Sequence, residues 1–567
     1  MYIANKWGQG QIFAFSALDG KTSAENDFAG TLCGDRLGIT FYTKIRRELA
    51  IIPGQIWDLS FDMVTGDCIC AVINKEKYLH MIYHDTNLII GDVCCDAAVN
   101  VFVEGNVTTK NIGNVTLQDT ADGDFTALAL ADGKFAFAYG RSAGEAVEKA
   151  SRGLKVDVEA AYNAKLDYYK KHQLNHDKYG RLYSKCISVM KTQLYSPEGK
   201  FGQIWSTPDR LPHKYLWLWD SVFHAIGHRN IDTDIAQQLI LSVFDNQYEN
   251  GMVPHLATTR ERSDITQPPI LAWGAWKVYE KSGDKDFLSK VFWHNSKFLQ
   301  WCDTYRRIGA EPLYTWKTGD DVNCRCDESG MDNSPRFDGA KLLLAIDFSC
   351  FMANEMRHMK KIAVEIGEDG QRYEKKFAQI SEAINRKLWD AAEGFYYDYS
   401  VSDQCLSKVE TVASFLPLYA GVCNENQAKS LVRWLEDPDT FGKEFPIPCI
   451  SAKHETYGTD MWRGPVWLNY NYLIISGLED YGYREAADRI WRKTLKNVNE
   501  CYERTGTLFE FYDPDNRCEP WSLNRKGPVV EPYDIRIRYQ SIRDYGWSCT
   551  VVADMLQTML HGSGCRK

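Results

Sequence analysis

The hydrophobic pattern changes its period once along the chain, near residue 145. Up to about residue 140, short apolar segments such as LHMIYHDTNLIIGDV, NVFVEG and GKFAFAYG are separated by Gly, Asp and Asn turns. In KFAFAYG the rings of Phe135, Phe137 and Tyr139 recur at every second position, which places them on one face of a strand. This pattern predicts a β-sandwich domain over residues 1–145.

Beyond residue 145 the apolar positions follow the helical period. Residues 146–177 predict a helical linker, and residues 178–567 a helical domain. Ala428, Leu431, Val432 and Leu435, for example, share one helix face at positions i, i+3, i+4 and i+7. The pattern predicts about a dozen helices, near 178–195, 217–229, 232–248, 267–282, 286–306, 339–366, 370–389, 409–419, 424–436, 465–479, 483–502 and 542–559.

A dozen consecutive helices would make six hairpins, and six hairpins can close into a ring with an inner and an outer layer. An irregular helical array is the alternative. The loops are unequal and no fixed sequence period recurs, which argues against a repeat solenoid. The sequence therefore favours a mainly α fold behind the N-terminal sandwich.

Five unusual loops each precede an even-numbered helix of this series. In a ring of hairpins the even helices run parallel, so the five loops would meet at one mouth. Helix N-termini bring unpaired N–H groups there, which suits an oxygen-rich ligand. The loops are LWLWDS (216–221), ITQPPI (265–270), DESGMDNSPRFD (327–338), GTDMWRGPVW (458–467) and LFEFYDPDN (508–516).

Composition narrows the classes of partner. The net charge is −10 with Lys and Arg scattered, which disfavours nucleic acid and anionic membranes. No run approaches the ~20 apolar residues of a membrane span, and the N-terminus lacks the pattern of a signal peptide. The 17 cysteines lack zinc-site spacing. We expect a cytoplasmic protein with reduced thiols, no metal and no cofactor.

An acidic, Trp-rich pocket without a phosphate loop or nucleophile elbow suits glycoside hydrolysis, which needs two carboxyl groups across the scissile bond. The 17 Trp and 31 Tyr could stack on sugar rings, or could simply belong to the core. In the loop before the sixth helix, Glu328, Asp332 and Asp338 are candidate acids. Asp338 is more typical of a cap on the following helix.

The second carboxyl group would come from the loop before the twelfth helix. Glu510, Asp513 and Asp515 are the candidates there. Asp513 and Asp515 flank Pro514 and are typical of turn formers that bond the local backbone.

Six segments, ESGMDNSPRFD, WLWDSVF, QPPI, MWRGPVWLNYNYL, FEFYDP and DYGWS, resemble the signatures of glycoside hydrolase family 63 and of bacterial mannosylglycerate- and glucosylglycerate-hydrolase-like enzymes, and more distantly of trehalases. They occur in the family's order over roughly residues 210–550. The resemblance implies an (α/α)6 barrel and inversion at an α-glycosidic bond. It implies that Asp332 is the general acid and Glu510 the general base.

The resemblance also assigns substrate-binding and supporting residues. Asp220 would bind hydroxyls of the sugar whose bond breaks, although Asp before a helix is commonly an N-cap. The tryptophans could be core, and Gln267 a plain loop residue. The substrate-binding residues implied are Trp217, Asp220, Gln267, Trp462 and Trp467, and the supporting ones are Glu328, Arg336, Arg463 and Trp547.

These inferences predict an inverting, exo-acting α-glycosidase, an α-glucosidase of a small soluble glycoside or oligosaccharide. A β-sandwich closed over the barrel mouth would favour exo action.

The first rival is a phosphorylase, which is disfavoured by Glu510 and by the lack of a basic or Ser/Gly-rich loop at the mouth. The second is a non-catalytic sugar-binding barrel, which should lack a carboxylate. A terpene-cyclase-like barrel would want a DxDD run that GDDVNC (319–324) does not supply. Residues 395–408 and 515–541 carry no signature, so the leaving group, gluco or manno configuration and oligomeric state stay open.

Overall fold

The N-terminal part of the protein is rich in β-strands. The computed structural model describes residues 1–54, 59–94, 96–339, 341–528, 533–537 and 539–561. The first thirteen strands are β1 (Ile12–Phe13), β2 (Gly30–Leu32), β3 (Gly38–Tyr42), β4 (Arg46–Ile52), β5 (Leu59–Val64), β6 (Cys68–Ile73), β7 (Glu76–Asp85), β8 (Leu88–Val93), β9 (Ala98–Val103), β10 (Val107–Ile112), β11 (Val115–Thr120), β12 (Phe125–Ala131) and β13 (Lys134–Gly140).

These strands form two antiparallel sheets. One has the order β1-β2-β3-β4-β9, and the other has the order β10-β11-β12-β13-β8-β7-β6-β5. The aromatic face predicted for β13 is confirmed, since Phe135, Phe137 and Tyr139 all pack in one apolar cluster with residues of both sheets such as Phe41. The alternation of aromatic and small residues along β13 thus builds the core between the sheets.

Two helices follow the strands. α1 (Ala143–Gly153) and α2 (Val158–Lys171) are N-capped by the side chains of Ser142 and Asp157, as expected for these residue types. α1 packs on β11, β12 and β13, opposite the aromatic face.

Each predicted segment from residue 178 onward contains a helix, although three boundaries differ markedly. α6 begins at Leu271 because Pro268 and Pro269 precede it, and α10 is preceded by a 3-10 turn, Val412–Phe415. The helices are α3 (Gly180–Thr192), α4 (Leu218–His228), α5 (Thr233–Phe244), α6 (Leu271–Ser282), α7 (Lys285–Tyr305), α8 (Ile346–Glu365), α9 (Gln371–Lys387), α10 (Leu416–Ala420), α11 (Glu425–Glu436), α12 (Leu468–Asp480), α13 (Arg484–Thr505) and α14 (Gly546–His561).

The third difference corrects the prediction for Asp338. The helix expected from residue 339 starts at Ile346, and the residue at its N-cap position is Ala345. A 3-10 turn at Pro335–Phe337 and a short strand at Leu343–Leu344 lie before it. Asp338 is exposed and therefore does not cap this helix.

The six even-numbered helices from α4 to α14 contact one another in a closed circuit. α4 contacts α6, α6 contacts α8, α8 contacts α10, α10 contacts α12, α12 contacts α14, and α14 contacts α4. Among the odd-numbered helices, α5 packs on α4 and α6, α9 on α8, and α13 on α12. Five of these six helices, α4, α6, α8, α12 and α14, are preceded by the loops that build the site.

Short strands tie these loops together in pairs. β16 pairs with β17 beside the start of α4, and β18 pairs with β21 beside the start of α8. The strands are β14 (Leu194–Tyr195), β15 (Trp205–Ser206), β16 (Leu216–Trp217), β17 (Leu256–Ala257), β18 (Leu343–Leu344), β19 (Trp389–Asp390), β20 (Phe395–Tyr396), β21 (Asp398–Ser400) and β22 (Cys405–Ser407).

Buried ion pairs join the β-rich part to the helical part. Asp544, in the loop before α14, accepts hydrogen bonds from the backbone N–H of Ile12 at 2.7 Å and from the hydroxyl of Thr507 at 2.6 Å. The ammonium of Lys185 on α3 lies 2.8 Å from the same carboxylate. Arg210 pairs with Asp27 at 2.7 Å. None of the helices in the described residues is long and apolar enough to cross a membrane.

Candidate active site

The five unusual loops do meet, around a cavity of about 570 Å³. The described lining residues all lie between His213 and Trp547. None of them comes from residues 1–145, so the predicted sandwich contributes no described wall, and its closure over the mouth stays a prediction. The lining residues from the five loops are Trp217, Trp219, Asp220, Gln267, Asp327, Gly330, Asp332, Met461, Trp462, Trp467 and Glu510.

Asp332 lies in the loop before α8, and backbone contacts fix its place. The N–H of Cys326 donates to the Asp332 carbonyl at 3.2 Å, and the N–H of Trp462 donates to the Asn333 side chain at 3.0 Å. Gly330 has a φ of +70°, and a Cβ there would lie 2.4 Å from the Trp219 ring, so the ESG turn requires glycine. The Asp332 carboxylate faces the cavity with its side chain 17% exposed.

Glu510 lies in a segment held between two neighbouring loops. Its N–H donates to the carbonyl of Ile542 at 3.0 Å, while Val466 and Tyr512 exchange backbone bonds. The Glu510 carboxylate is buried, and Arg525 donates to its two oxygens at 2.6 and 3.2 Å. Such a bidentate pair fixes the orientation of the carboxylate at the cavity wall.

Asp220 is a third carboxyl group of the cavity, and it is not the N-cap of α4. Trp217 occupies the N-cap position, so Asp220 lies in the first turn. It is buried, and its Oδ1 atom has no hydrogen-bond partner among the described residues. Burial, with the charges of Glu510 and Asp209 nearby, raises the pKa of Asp220 well above its usual range. A buried carboxyl oxygen without a partner among the described residues is available to a ligand hydroxyl.

Tryptophans form much of the wall. The rings of Trp462 and Trp467 stack with centroids 3.8 Å apart and an angle of 3° between their planes. Within the described structure, the indole N–H groups of Trp217, Trp462 and Trp547 find no acceptor. Because buried polar groups are normally paired, these three donors indicate that the cavity receives oxygen atoms of a ligand or of water.

Gln267 also lines the cavity and is more than a plain loop residue. Its side-chain carbonyl accepts a hydrogen bond from the backbone N–H of Trp219 at 3.4 Å. This contact joins the loop before α6 to the start of α4.

The other supporting residues act from behind the wall. Glu328 pairs with Arg306 at 2.5 Å and accepts a bond from the Lys317 N–H at 2.8 Å. It is fully buried outside the cavity lining, which favours a structural role over that of a catalytic acid.

Both predicted supporting arginines bind carboxylates, as expected. Arg336 is buried between Asp347 and Asp398, at 2.6 and 2.8 Å. Arg463 pairs with Asp338 at 2.5 Å. Neither arginine lines the cavity.

The rivals of Glu510 also have local partners. Asp513 accepts bonds from the N–H groups of Arg517 and Cys518 at 2.6 and 3.0 Å, as predicted for a turn former. Asp515 accepts a bond from the Tyr457 hydroxyl at 2.9 Å. Neither residue lines the cavity.

Two cavity residues that the sequence did not reveal are Arg525 and Lys526. Arg525 pairs with Glu510, and the Lys526 ammonium lies 2.5 Å from the Asp332 carboxylate. The expectation that the mouth lacks a basic loop is therefore wrong. Adjacent cations are common on protein surfaces, and only the fold brings this pair to the cavity, so the sequence offered no signal for it.

Lys526 also contacts a group of side chains with the spacing of a cation site. Ligand atoms of Cys324, Asp327 and Asp332 lie within 4.8 Å of one another. The Lys526 ammonium lies 2.9 Å from the Cys324 sulfur and 2.5 Å from Asp332. In this structure the positive charge next to Cys324, Asp327 and Asp332 is the Lys526 ammonium.

Comparisons with known proteins identify the family of the helical part. Residues 213–548, more than half of the chain, match the mannosylglycerate hydrolase MGH1-like glycoside hydrolase domain. Mannosylglycerate hydrolase of Thermus thermophilus is 26% identical over 383 residues, which cover 53% of this chain and 89% of the relative. Glucosylglycerate hydrolase of Mycolicibacterium hassiacum is 22% identical over 419 residues, covering 54% and 89%.

A solved structure supports the fold. A GH63 mannosylglycerate hydrolase from Thermus thermophilus, in complex with glucose, superposes with a TM-score of 0.55 at 22% identity, covering 66% of this chain and 99% of that one. The family match spans the loops that carry Asp220, Asp332 and Glu510. The chain therefore belongs to the family of mannosylglycerate hydrolase MGH1-like glycoside hydrolase domains.

Proposed function

We propose that the protein is an inverting, exo-acting α-glycosidase that hydrolyses a small soluble α-glycoside, with α-glucosides as the first substrates and α-mannosides as the alternative. Asp332 is the general acid and Glu510 the general base that activates water. The closed circuit of α4, α6, α8, α10, α12 and α14 is the inner layer of an (α/α)6 barrel. Residues 1–145, 146–177 and 178–567 are its sandwich, linker and catalytic barrel, and it acts in the cytoplasm.

One observation carries this proposal: two carboxylates about 180 residues apart in the sequence line the same cavity, each bonded to its own cation. Inverting hydrolysis needs an acid on one side of the scissile bond and a base on the other, with room for water between them. Asp332 and Glu510 come from the loops before α8 and α14, so their backbones are held independently. This arrangement supports the assignment of separate roles.

The cavity supports a small ligand rich in hydroxyl groups. About 570 Å³ falls within the ~300–1,000 Å³ usual for small-molecule sites. Three indole donors and one Asp220 oxygen, which have no partner among the described residues, offer hydrogen bonds to hydroxyls. The stacked Trp462 and Trp467 offer an apolar face to a sugar ring. Exo action rests on this limited volume.

A phosphorylase remains the second candidate, because Arg525 and Lys526 bring positive charge to the cavity. Each of these cations, however, is already paired with a carboxylate, Arg525 with Glu510 and Lys526 with Asp332. Water activated by Glu510 therefore fits the geometry better than phosphate. The same cations could contact a carboxylate on the leaving group, such as the glycerate named for the relatives.

Substrate class and mechanism can be tested together. We expect hydrolysis of α-glucosides, including one with a glycerate leaving group, when products are followed by NMR from the first minute with and without phosphate. Rates should not depend on phosphate. Formation of a sugar phosphate would show that the protein is a phosphorylase and not a hydrolase. Turnover of α-mannosides alone would show that the sugar is mannose and not glucose.

Asp220→Ala should lower kcat/KM by about 10–100-fold, the loss expected for one hydrogen bond involving a charged group. Asp220→Asn, which keeps an acceptor, should lose less. A set of monodeoxy substrates provides the check. For the substrate that lacks the hydroxyl bound by Asp220, the wild type and Asp220→Ala should have the same kcat/KM. Additive losses for every deoxy substrate would exclude direct contact with a hydroxyl.

A further inference from the structure

The Lys526 ammonium lies next to the carboxyl group of Asp332, the proposed proton donor. It lies 2.5 Å from the Asp332 carboxylate, and its side chain is only 18% exposed. The Lys526 backbone N–H donates to Asp460 at 3.2 Å, and the Met461 N–H donates to the Asn524 carbonyl at 3.1 Å. The segment that carries the ammonium is thus fixed to the loop before α12.

This contact conflicts with acid catalysis if it persists through the reaction. A general acid must carry a proton, and a cation at ion-pair distance favours the ionised carboxylate. The leaving oxygen must also come within hydrogen-bond reach of the Asp332 carboxylate, and the Lys526 ammonium already lies at that distance from it. The ion pair must therefore open before the bond breaks.

The structure offers Lys526 a second partner. The Cys324 thiol lies 2.9 Å from the ammonium and is hydrogen-bonded to the carboxylate of Asp327. With both carboxylates ionised, Asp327, Asp332 and Lys526 carry a net charge of −1. One added proton neutralises the group, and the position of the ammonium decides which carboxylate receives it.

We propose that Lys526 is a positioning residue that holds Asp332 ionised while the cavity is empty and moves its ammonium to Asp327 when the leaving group binds, so that Asp332 takes up one proton from solvent. This inference rests on the acid role proposed for Asp332. Lys526 neither touches the scissile bond nor donates the proton. It ties protonation of the acid to occupancy of the cavity.

Other charged groups face the same space and must be considered in any pH profile. Burial, together with the charge of Asp332, raises the pKa of Asp327, whereas Lys526 opposes this shift. Burial lowers the pKa of His255 to about 4, so this imidazole stays neutral at working pH. Burial raises the pKa of the Cys324 thiol, which stays protonated. Among the described residues, Asp220 and Arg525 also act on Asp332 or Lys526.

The test is the alkaline limb of the rate profile. In the wild type, we expect kcat/KM, which reports the free enzyme, to fall at a lower pH than kcat, which reports the complex. Lys526→Met removes the charge and keeps the aliphatic stem. It should move the kcat/KM limb upward by about 1–3 pH units, the range expected for one neighbouring charge. Lys526→Arg, the matched control, should retain the wild-type limb.

Asp327→Asn should act in the opposite direction. It removes the second anionic partner, so the ammonium stays on Asp332, the kcat limb moves to lower pH and kcat falls. With an α-glycosyl fluoride, whose leaving group needs no proton, the alkaline limb should be absent from the pH–rate profiles of the wild type and of every variant. If Lys526→Arg behaves like Lys526→Met, or if Lys526→Met leaves the kcat/KM limb in place, the proposal is wrong.

A measurement without turnover separates this inference from the proposed function. With ¹³C-labelled aspartate carboxyl groups, the Asp332 signal is identified by its absence in Asp332→Asn. Its titration midpoint should be higher in Lys526→Met than in the wild type or Lys526→Arg. Equal midpoints would overturn the role of Lys526 even if α-glycosides are hydrolysed. A shift without hydrolysis would support the role of Lys526 and contradict the glycosidase.

Discussion

Asp332→Asn should lower kcat on alkyl α-glycosides by about 10²–10⁴-fold, the contribution typical of a general acid. The amide has nearly the shape of the carboxylic acid but cannot give its proton to the leaving oxygen. Substrates with good leaving groups, such as aryl glycosides or a glycosyl fluoride, need less protonation and should lose much less. Initial rates on a series of leaving groups of graded acidity measure this difference.

The control for this variant is Asp338→Asn. Asp338 lies in the same loop, but it is exposed and paired with Arg463 outside the cavity lining. Its loss should leave kcat within a few-fold of the wild type. An equal loss of activity on alkyl and fluoride substrates in Asp332→Asn would assign Asp332 to binding or structure instead of acid catalysis.

Glu510→Ala should lower the kcat of hydrolysis by a similar or larger factor than Asp332→Asn, because it removes the only proposed activator of water. An external anion such as azide could occupy the vacated space and attack an α-glycosyl fluoride in one step. The product expected from this displacement is the β-glycosyl azide. NMR identification of its anomeric configuration is the measurement.

Glu510→Ala also leaves Arg525 without its carboxylate, so the fold must be checked. Arg525→Met removes the other partner of the pair and is the matched variant. It should retain the β-anomer as the first product, at a reduced rate, if Arg525 only orients Glu510. In the wild type, the first sugar released from an α-glycoside should be the β-anomer. An initial α-anomer would make Glu510 a nucleophile and overturn inversion.

The helices were predictable because each carries its own apolar stripe, which is a local property of the sequence. The convergence of the five loops followed from the parallel direction of alternate helices, without knowledge of any contact. Asp332, Glu510 and Asp220 could therefore be placed in one cavity before the structure was known. Their chemical roles came from the family resemblance and stay predictions.

The errors arose where distant segments pair. Asp338 was expected to cap a helix, but β18 pairs with β21 through Leu343 and Ser400 and delays the start of α8. Arg525 and Lys526 lie in a segment without a recognisable pattern, and contacts of Asn524 with residues 459–461 carry them to the cavity. Such pairings depend on tertiary structure, which no local period encodes.

The carboxylate of Asp544 connects three parts of the molecule: the first strand through Ile12, helix α3 through Lys185, and the segment leading to Glu510 through Thr507. Removal of Asp544 or of Lys185 would leave the other buried charge without its partner, which typically lowers the free energy of unfolding by about 3–5 kcal/mol. The two N-terminal β-sheets, although they contribute no described wall to the cavity, are thereby bound to its framework. Autonomy of the family-matched segment, residues 213–548, is not expected: cut out alone, it would keep Asp544 but lose both Ile12 and Lys185, which leaves a buried carboxylate without its cation.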